Sequence, residues 1–249
     1  MKALITGASS GIGRDMARIL SKKGYSLILV ARRRDRLEEL ARELGTQVQI
    51  ITADLSLEED CLRLYEQTKD DRVDVLINNA GLGLFGSFDS TDLSKELNML
   101  HTNILAVHIL TKLFLKDMKE RDSGYILNVA SSAAFFPGPL LSSYYASKAY
   151  VLRLTEAVYE ELRREGSHVH VSALCPGPVH TEFDSVAQVK FSVKGLNSGD
   201  VADYALKKMF AGKLVIVPGA LMKTARFFAR LSPDRLILRF AYRMQKRKE

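Results

Sequence analysis

Tyr144 and Lys148 stand four residues apart. On a helix that offset puts both side chains on one face. A free tyrosine titrates near ~10, too high for a base at neutral pH, but an ammonium one turn away favours the phenolate. The two are therefore a candidate proton-transfer couple. Most such pairs are only a packed ring and a solvated ammonium, so this one gains meaning from its company. That company looks built for phosphate. An N-terminal apolar run passes into Thr6-Gly7-Ala8-Ser9-Ser10-Gly11-Ile12-Gly13. Glycines there allow a tight turn and a close approach of backbone to a pyrophosphate, and the following helix offers free N–H donors and partial positive charge. A second apolar run ends at Ala31 and continues Arg32-Arg33-Arg34, with no carboxylate before Asp35. Planar guanidinium groups match phosphate oxygens. The five histidines, His101, His108, His168, His170 and His180, do not cluster with carboxylates at ligand spacing, so no metal is expected.

These groups need a scaffold, and the pattern predicts one. Strands are expected at Ala3–Thr6, Ser26–Ala31, Val48–Ala53, Val73–Asn78, Tyr125–Ala130, Val169–Leu174 and Leu214–Val217. Helices are expected at Gly11–Lys23, Asp35–Leu44, Glu58–Thr68, Leu93–Lys119, Ser142–Glu165 and Asp200–Phe210. Alternation of this kind argues for right-handed βαβ units and a doubly wound parallel sheet in a three-layer α/β/α single domain. Near-continuous apolar strands suit burial on both faces. Ligands of such sheets bind at the carboxyl ends of the strands, where strand order reverses.

Composition narrows the classes further. The chain has 249 residues and is 47% hydrophobic, too apolar for a disordered protein and long enough for a large core. Two cysteines, Cys61 and Cys175, read as reduced thiols rather than a disulfide scaffold, and with no leader-like start a cytoplasmic location is expected. No run is apolar enough to span a membrane. The net charge of +7 is local: from Leu221 onward there are nine basic and two acidic residues, so residues 1–220 balance at 27 against 27. A basic pI of that origin gives no reason to expect nucleic-acid binding by the main body.

Taken in order, the motifs resemble those of the short-chain dehydrogenase/reductase family. The glycine loop is similar to T-G-x-x-x-G-I-G. Asn78-Asn79-Ala80-Gly81 is similar to N-N-A-G. Tyr144-Tyr145-Ala146-Ser147-Lys148 is similar to Y-x-A-S-K, with Ser131 thirteen residues before Tyr144. Pro176-Gly177-Pro178-Val179-His180-Thr181 is similar to P-G-x-V-x-T, and Asn103 lies where the family has a structural asparagine. The resemblance implies a Rossmann-type fold and hydride transfer between a nicotinamide cofactor and an alcohol/ketone pair. It implies Tyr144 as general acid/base and Ser131 as donor to the reacting oxygen, with Ser132 its neighbour. Lys148 and an oxidised nicotinamide would lower the Tyr144 pKa by ~3 units, which takes ~4 kcal/mol. Asn103 would hold a water linking Lys148 to solvent. The cofactor set it implies is Gly7, Ser9, Ser10, Gly11, Ile12 and Gly13 in the loop, then Asp54 and Leu55 beside the adenine. Asn79, Ala80, Gly81, Tyr144, Lys148, Pro176, Gly177, Val179 and Thr181 complete it. For Asp54 a turn or helix-cap role is the competing reading, with Ser56 the rival cap.

Arg32 and Arg33 point to the 2′-phosphate of NADP(H), with Arg14 a further candidate. By the family pattern Phe135, Phe136, Leu140, Leu141, Val179 and Phe183 lie near the reacting centre. That apolar set predicts a lipophilic ketone or alcohol such as a hydroxysteroid or bile acid, with Glu182–Gly199 as a substrate lid. A catalytically silent NADP(H)-binding sensor of the same fold is the competing class, but such a protein has no need to retain tyrosine, lysine and serine together. The resemblance also implies a homodimer or homotetramer through Leu93–Lys119 and Ser142–Glu165. Residues 221–249 form a basic amphipathic helical extension packed on the same domain, and Ser232-Pro233 reads as a helix start. The extension has three open readings: cleft cover, subunit interface or peripheral membrane contact.

Overall fold

The computed structural model describes residues 1–183 and 195–246. Seven strands form one parallel sheet in the order β3-β2-β1-β4-β5-β6-β7. They are β1 (Lys2–Thr6), β2 (Ser26–Ala31), β3 (Val48–Thr52), β4 (Val75–Asn78), β5 (Gly124–Val129), β6 (Val169–Leu174) and β7 (Val215–Ile216). Side chains alternate across the strands, and both faces are apolar. Leu4, Ile28, Leu76 and Ile126 pack under Leu64, Leu110, Phe114 and Leu162. Ile5, Leu29, Ile77 and Leu127 pack under Met16, Leu20, Leu37 and Met209. Helices α1 (Gly11–Lys22), α2 (Arg34–Glu43) and α7 (Ser198–Phe210) cover the second face. Helices α3 (Glu58–Thr68), α5 (Ala106–Glu120) and α6 (Ser142–Glu165) cover the first. Strand β1 pairs with β2 on one side and β4 on the other, so the order reverses there. The expected doubly wound α/β architecture is the one found.

Two local differences from the sequence reading have physical causes. The long helix expected over Leu93–Lys119 is α4 (Leu93–Leu100) and α5, joined by a single π-helical turn at His101–Leu105. That turn holds Asn103, whose amide Nδ2 donates to Leu82 O at 2.9 Å while its Oδ1 accepts from Leu82 N at 2.9 Å. Helix α7 starts at Ser198 rather than Asp200, because Asn197 caps it: Oδ1 accepts from Gly199 N at 2.8 Å and Asp200 N at 3.3 Å. The C-terminal extension is two helices, α8 (Ala220–Leu231) and α9 (Asp234–Lys246). Ser232 Oγ donates back to Phe228 O at 2.9 Å, and the N–H groups of Leu236 and Ile237 donate to Pro233 O. Both cysteines are buried free thiols. Among the described residues no helix is long and apolar enough to cross a membrane.

A buried polar ladder locks α6 to the sheet. Asn128 of β5 accepts from Asn78 Nδ2 of β4 at 2.9 Å and from Thr111 Oγ1 of α5 at 3.2 Å. It donates through Nδ2 to Thr155 Oγ1 of α6 at 3.0 Å. Hydrogen bonds in such a dry place fix relative position, because leaving either partner unpaired is costly.

Candidate active site

The carboxyl ends of the strands open into one cavity of about 860 Å³. Its nucleotide-like end is made of loops that fit with no spare room. Gly7 has φ +63°, and a Cβ there would lie 2.9 Å from Ala80 Cα. Thr6 Oγ1 accepts from Asn79 N at 2.9 Å and Ala80 N at 3.0 Å, which pins the 78–81 loop to the glycine loop. Asn79 Nδ2 returns the tie by donating to Thr6 O and Gly7 O. A Cβ on Gly13 would come within 2.4 Å of that same Nδ2. Gly13 therefore serves this packing and does not line the cavity, unlike Gly7, Ser9, Ser10, Gly11 and Ile12, which do.

The arginines at the end of β2 divide their roles. Arg33 donates to Ser9 Oγ at 3.1 Å, Ser10 Oγ at 3.3 Å and Glu182 Oε2 at 2.8 Å. Arg36, one turn into α2 and not singled out by the sequence, also bonds Glu182. The two guanidinium groups hold the Glu182 carboxyl below its usual range. Arg32 lies 3.8 Å from Asp54 Oδ2. Asp54 lines the cavity with Leu55 and also makes a turn, its Oδ1 accepting from Ser56 N at 3.1 Å and Ser56 Oγ at 2.8 Å. Arg14 pairs with its neighbour Asp15 at 3.5 Å and does not line the cavity.

Deeper in, α6 presents Tyr144 and Lys148 together, as their spacing requires. Lys148 is only 4% exposed, and its Nζ donates to Val129 O at 2.9 Å and lies 5.9 Å from the Tyr144 ring centre. Burial pulls the lysine down to about 8. Burial pushes the Tyr144 phenol up to about 12, against a hydrogen bond from Ser131 that pulls it down. Desolvation is the largest cause, so the lowering expected from Lys148 together with an oxidised nicotinamide has to act against it. Of the two adjacent serines, Ser131 bonds Tyr144, whereas Ser132 donates its backbone N–H to Pro176 O at 2.8 Å. Asn103 is fully buried and does not line the cavity; its amide also donates to Ser147 Oγ at 3.1 Å. It braces the loop carrying Gly81, where a Cβ would lie 3.1 Å from Lys148 Nζ and 3.2 Å from Asn103 Oδ1.

The far end is apolar. Phe136, Leu141, Tyr145, Val179 and Phe183 form walls, with the Tyr144 and Phe183 rings 5.4 Å apart. Two expected wall residues are elsewhere. Leu140 sits at φ +65°, its carbonyl bound to Gly86 N, and Phe135 packs in the core with Arg226 5.0 Å from its ring centre. The remaining wall comes from the C-terminal helices through Met222, Phe228, Leu236, Ile237, Phe240 and Gln245. Gln245, 2% exposed, donates to Tyr145 Oη at 2.5 Å. The stripe Leu236, Ile237, Phe240 marked α9 as amphipathic, but nothing in the sequence told what it covers. Of the Glu182–Gly199 lid segment, residues 184–194 lie outside the described residues.

The family profile described as short chain dehydrogenase matches residues 1–190. The chain belongs to the short-chain dehydrogenase/reductase family of oxidoreductases. It is 33% identical over 198 residues to a very-long-chain 3-oxoacyl-CoA reductase of Anas platyrhynchos, covering 76% of this chain and 63% of that protein. It is 31% identical over 234 residues to the 17-beta-hydroxysteroid dehydrogenase type 3 of Homo sapiens, covering 87% of this chain and 75% of that protein. Among solved structures, a short-chain dehydrogenase from Sphingobium yanoikuyae in complex with NADPH superposes with TM-score 0.83 at 31% identity, covering 92% of this chain and 93% of that one.

The residues present suit a phosphorylated dinucleotide. Ser10, at the start of α1, makes no side-chain cap bond, so the first-turn N–H donors are not occupied by it. Cβ atoms on Gly7, Gly11 or Gly81 would meet backbone or side chains at 2.9–3.1 Å. In this short-chain dehydrogenase the pairing of Arg33 with the serines at that helix start places cation and N–H donors together, which is the donor set a phosphate needs.

Proposed function

We propose that the chain is an NADP(H)-dependent oxidoreductase that interconverts a secondary alcohol and a ketone on a lipophilic substrate, such as a hydroxysteroid or bile acid. The observation that carries this reading is one continuous cavity with Arg33 at one end, Ser131, Tyr144 and Lys148 in the middle, and apolar walls at the other. The 31% likeness to a hydroxysteroid dehydrogenase adds support for the substrate class. Arg32 and Arg33 would hold the 2′-phosphate, the glycine loop the pyrophosphate, and Asn79 to Gly81 the nicotinamide side. Bound NADPH would supply the hydride to the carbonyl carbon.

The chain's own residues then handle the proton. Tyr144 Oη gives its proton to the oxygen that gains charge, and the phenolate left behind is a weaker base than the alkoxide it protonates. Ser131 donates to the same oxygen and steadies its charge. Lys148, pulled down by burial, supplies the ammonium that sits beside the phenol. In the oxidising direction Tyr144 must first lose its proton, and Lys148 together with the charge on an oxidised nicotinamide favours that loss.

The test is NADPH consumption against a panel of steroid, bile-acid, acyl and aryl ketones, with NADH in parallel and Tyr144→Phe as control. Turnover on one class, lost in the control and weak with NADH, is the expected result. NADPH binding without turnover on any ketone overturns the reaction, and equal use of NADH overturns the cofactor choice.

A further inference from the structure

We propose that the outer surface of α8 and α9 is a docking face for an anionic membrane surface, with the cavity mouth opening onto the bilayer. The pair has two unlike sides. The inner one, with Ala241 and Gln245 buried, walls the cavity. On the outer one, Arg235, Arg239, Arg243 and Lys246 recur at offsets of four, four and three, so they form a single cationic strip along α9. All four are exposed, as is Lys223 on α8. Apolar side chains flank the strip and are themselves exposed. Phe227, Leu236, Leu238, Phe240 and Tyr242 are 43–67% exposed. A helix with cations on one arc and bare leucine and aromatic side chains beside it suits the headgroup boundary, where charges meet lipid phosphates and the rings enter the acyl edge.

The charge distribution selects this occupant over two others. All of the net +7 falls after Leu221, so a second copy's extension would bring like charge against like, and the balanced remainder of the chain offers no net counter-charge. A single-stranded polyanion would satisfy the arginines but leave Leu236 and Leu238 in water. An anionic bilayer takes both. The mouth has a fixed place in this arrangement. Phe228, Leu236 and Phe240 line the cavity and yet are 58–67% exposed, so the rim of the pocket and the docking face are one surface. A lipophilic molecule dissolved in the membrane would then reach the pocket without crossing water. Docking itself does not depend on which reaction the pocket performs.

The experiment is co-sedimentation of the full chain at low salt with phosphatidylcholine vesicles, and with vesicles of phosphatidylcholine and phosphatidylserine at roughly two to one. Sedimentation with the anionic vesicles only, weakening as salt rises, is expected. Arg239→Gln with Arg243→Gln should lower the partition coefficient about 30-fold, from about 1 kcal/mol per lost charge near the surface. Phe227→Ser should lower it roughly tenfold, and Phe227 neither lines the cavity nor touches the reacting groups. Circular dichroism and the thermal midpoint of each variant check that it folds. A chain that stays in the supernatant overturns the proposal. So does equal sedimentation of wild type and both variants, concentration-dependent sedimentation without vesicles, or binding of single-stranded RNA in place of vesicles.

Discussion

The two ends of the cavity are built by different means. At the nucleotide end each contributor is a short segment at the carboxyl end of a strand: residues 7 and 9–12 after β1, 32–33 after β2, 53–55 after β3 and 79–82 after β4. Backbone spacing does the work, and several glycines admit no Cβ. At the substrate end the walls come from residues 133–145, 176–183 and 222–245, segments far apart in the chain. Side-chain size and burial do the work there, and part of the wall is exposed. A loop fixed by backbone geometry tolerates few residue types. A wall fixed by apolar bulk tolerates many.

Tyr144 and Lys148 sit where the ends meet, and breaking the pair should give the largest effect. Tyr144→Phe is expected to reduce turnover about 10²–10⁴-fold while NADPH affinity, read by fluorescence titration, stays as in the wild type. An equal fall in affinity would merge the two ends into one unit. The next effect tests the burial that joins them. Burial pulls Lys148 down to about 8 in the folded chain from 10.5 for a free lysine, so between those values the unfolded chain holds the extra proton and stability rises with pH. Urea unfolding of the cofactor-free protein should show the wild type gaining about 3 kcal/mol over Lys148→Met across that window. The comparison with the variant is needed because Cys61 and Cys175, both pushed from 9.0 to about 12, act in the opposite sense above 9. A flat difference would mean that the lysine is not desolvated.

Smaller effects separate the arginines. Arg33→Ala should weaken NADPH binding about 10–100-fold, from charge-assisted hydrogen bonds worth about 1.5–3 kcal/mol, and leave NADH nearly untouched. Equal losses for both cofactors would place Arg33 outside the phosphate site. The smallest change is at Glu182, which now occupies Arg33 and Arg36. Glu182→Gln should strengthen NADPH binding by up to about fivefold, since an exposed ion pair is worth about 0–1 kcal/mol. No change would mean that the carboxylate does not compete with the 2′-phosphate.

The sequence by itself determined the parts that depend on contiguous residues. Strand and helix periods gave the parallel sheet, the offset of Tyr144 and Lys148 gave a shared face, and Arg32-Arg33 without a carboxylate gave a phosphate-seeking strand end. Each of these is a property of local backbone geometry, which neighbouring residues fix. Only the tertiary structure decided the rest. It put Asn103 in a π-helical turn clasping Leu82, set Glu182 between Arg33 and Arg36 across 149 and 146 residues, and laid α9 over the pocket with Gln245 on Tyr145. It also buried Tyr144, which pushes its phenol up. Desolvation and partnership depend on what the far parts of the chain bring up to a side chain, and no local pattern carries that information.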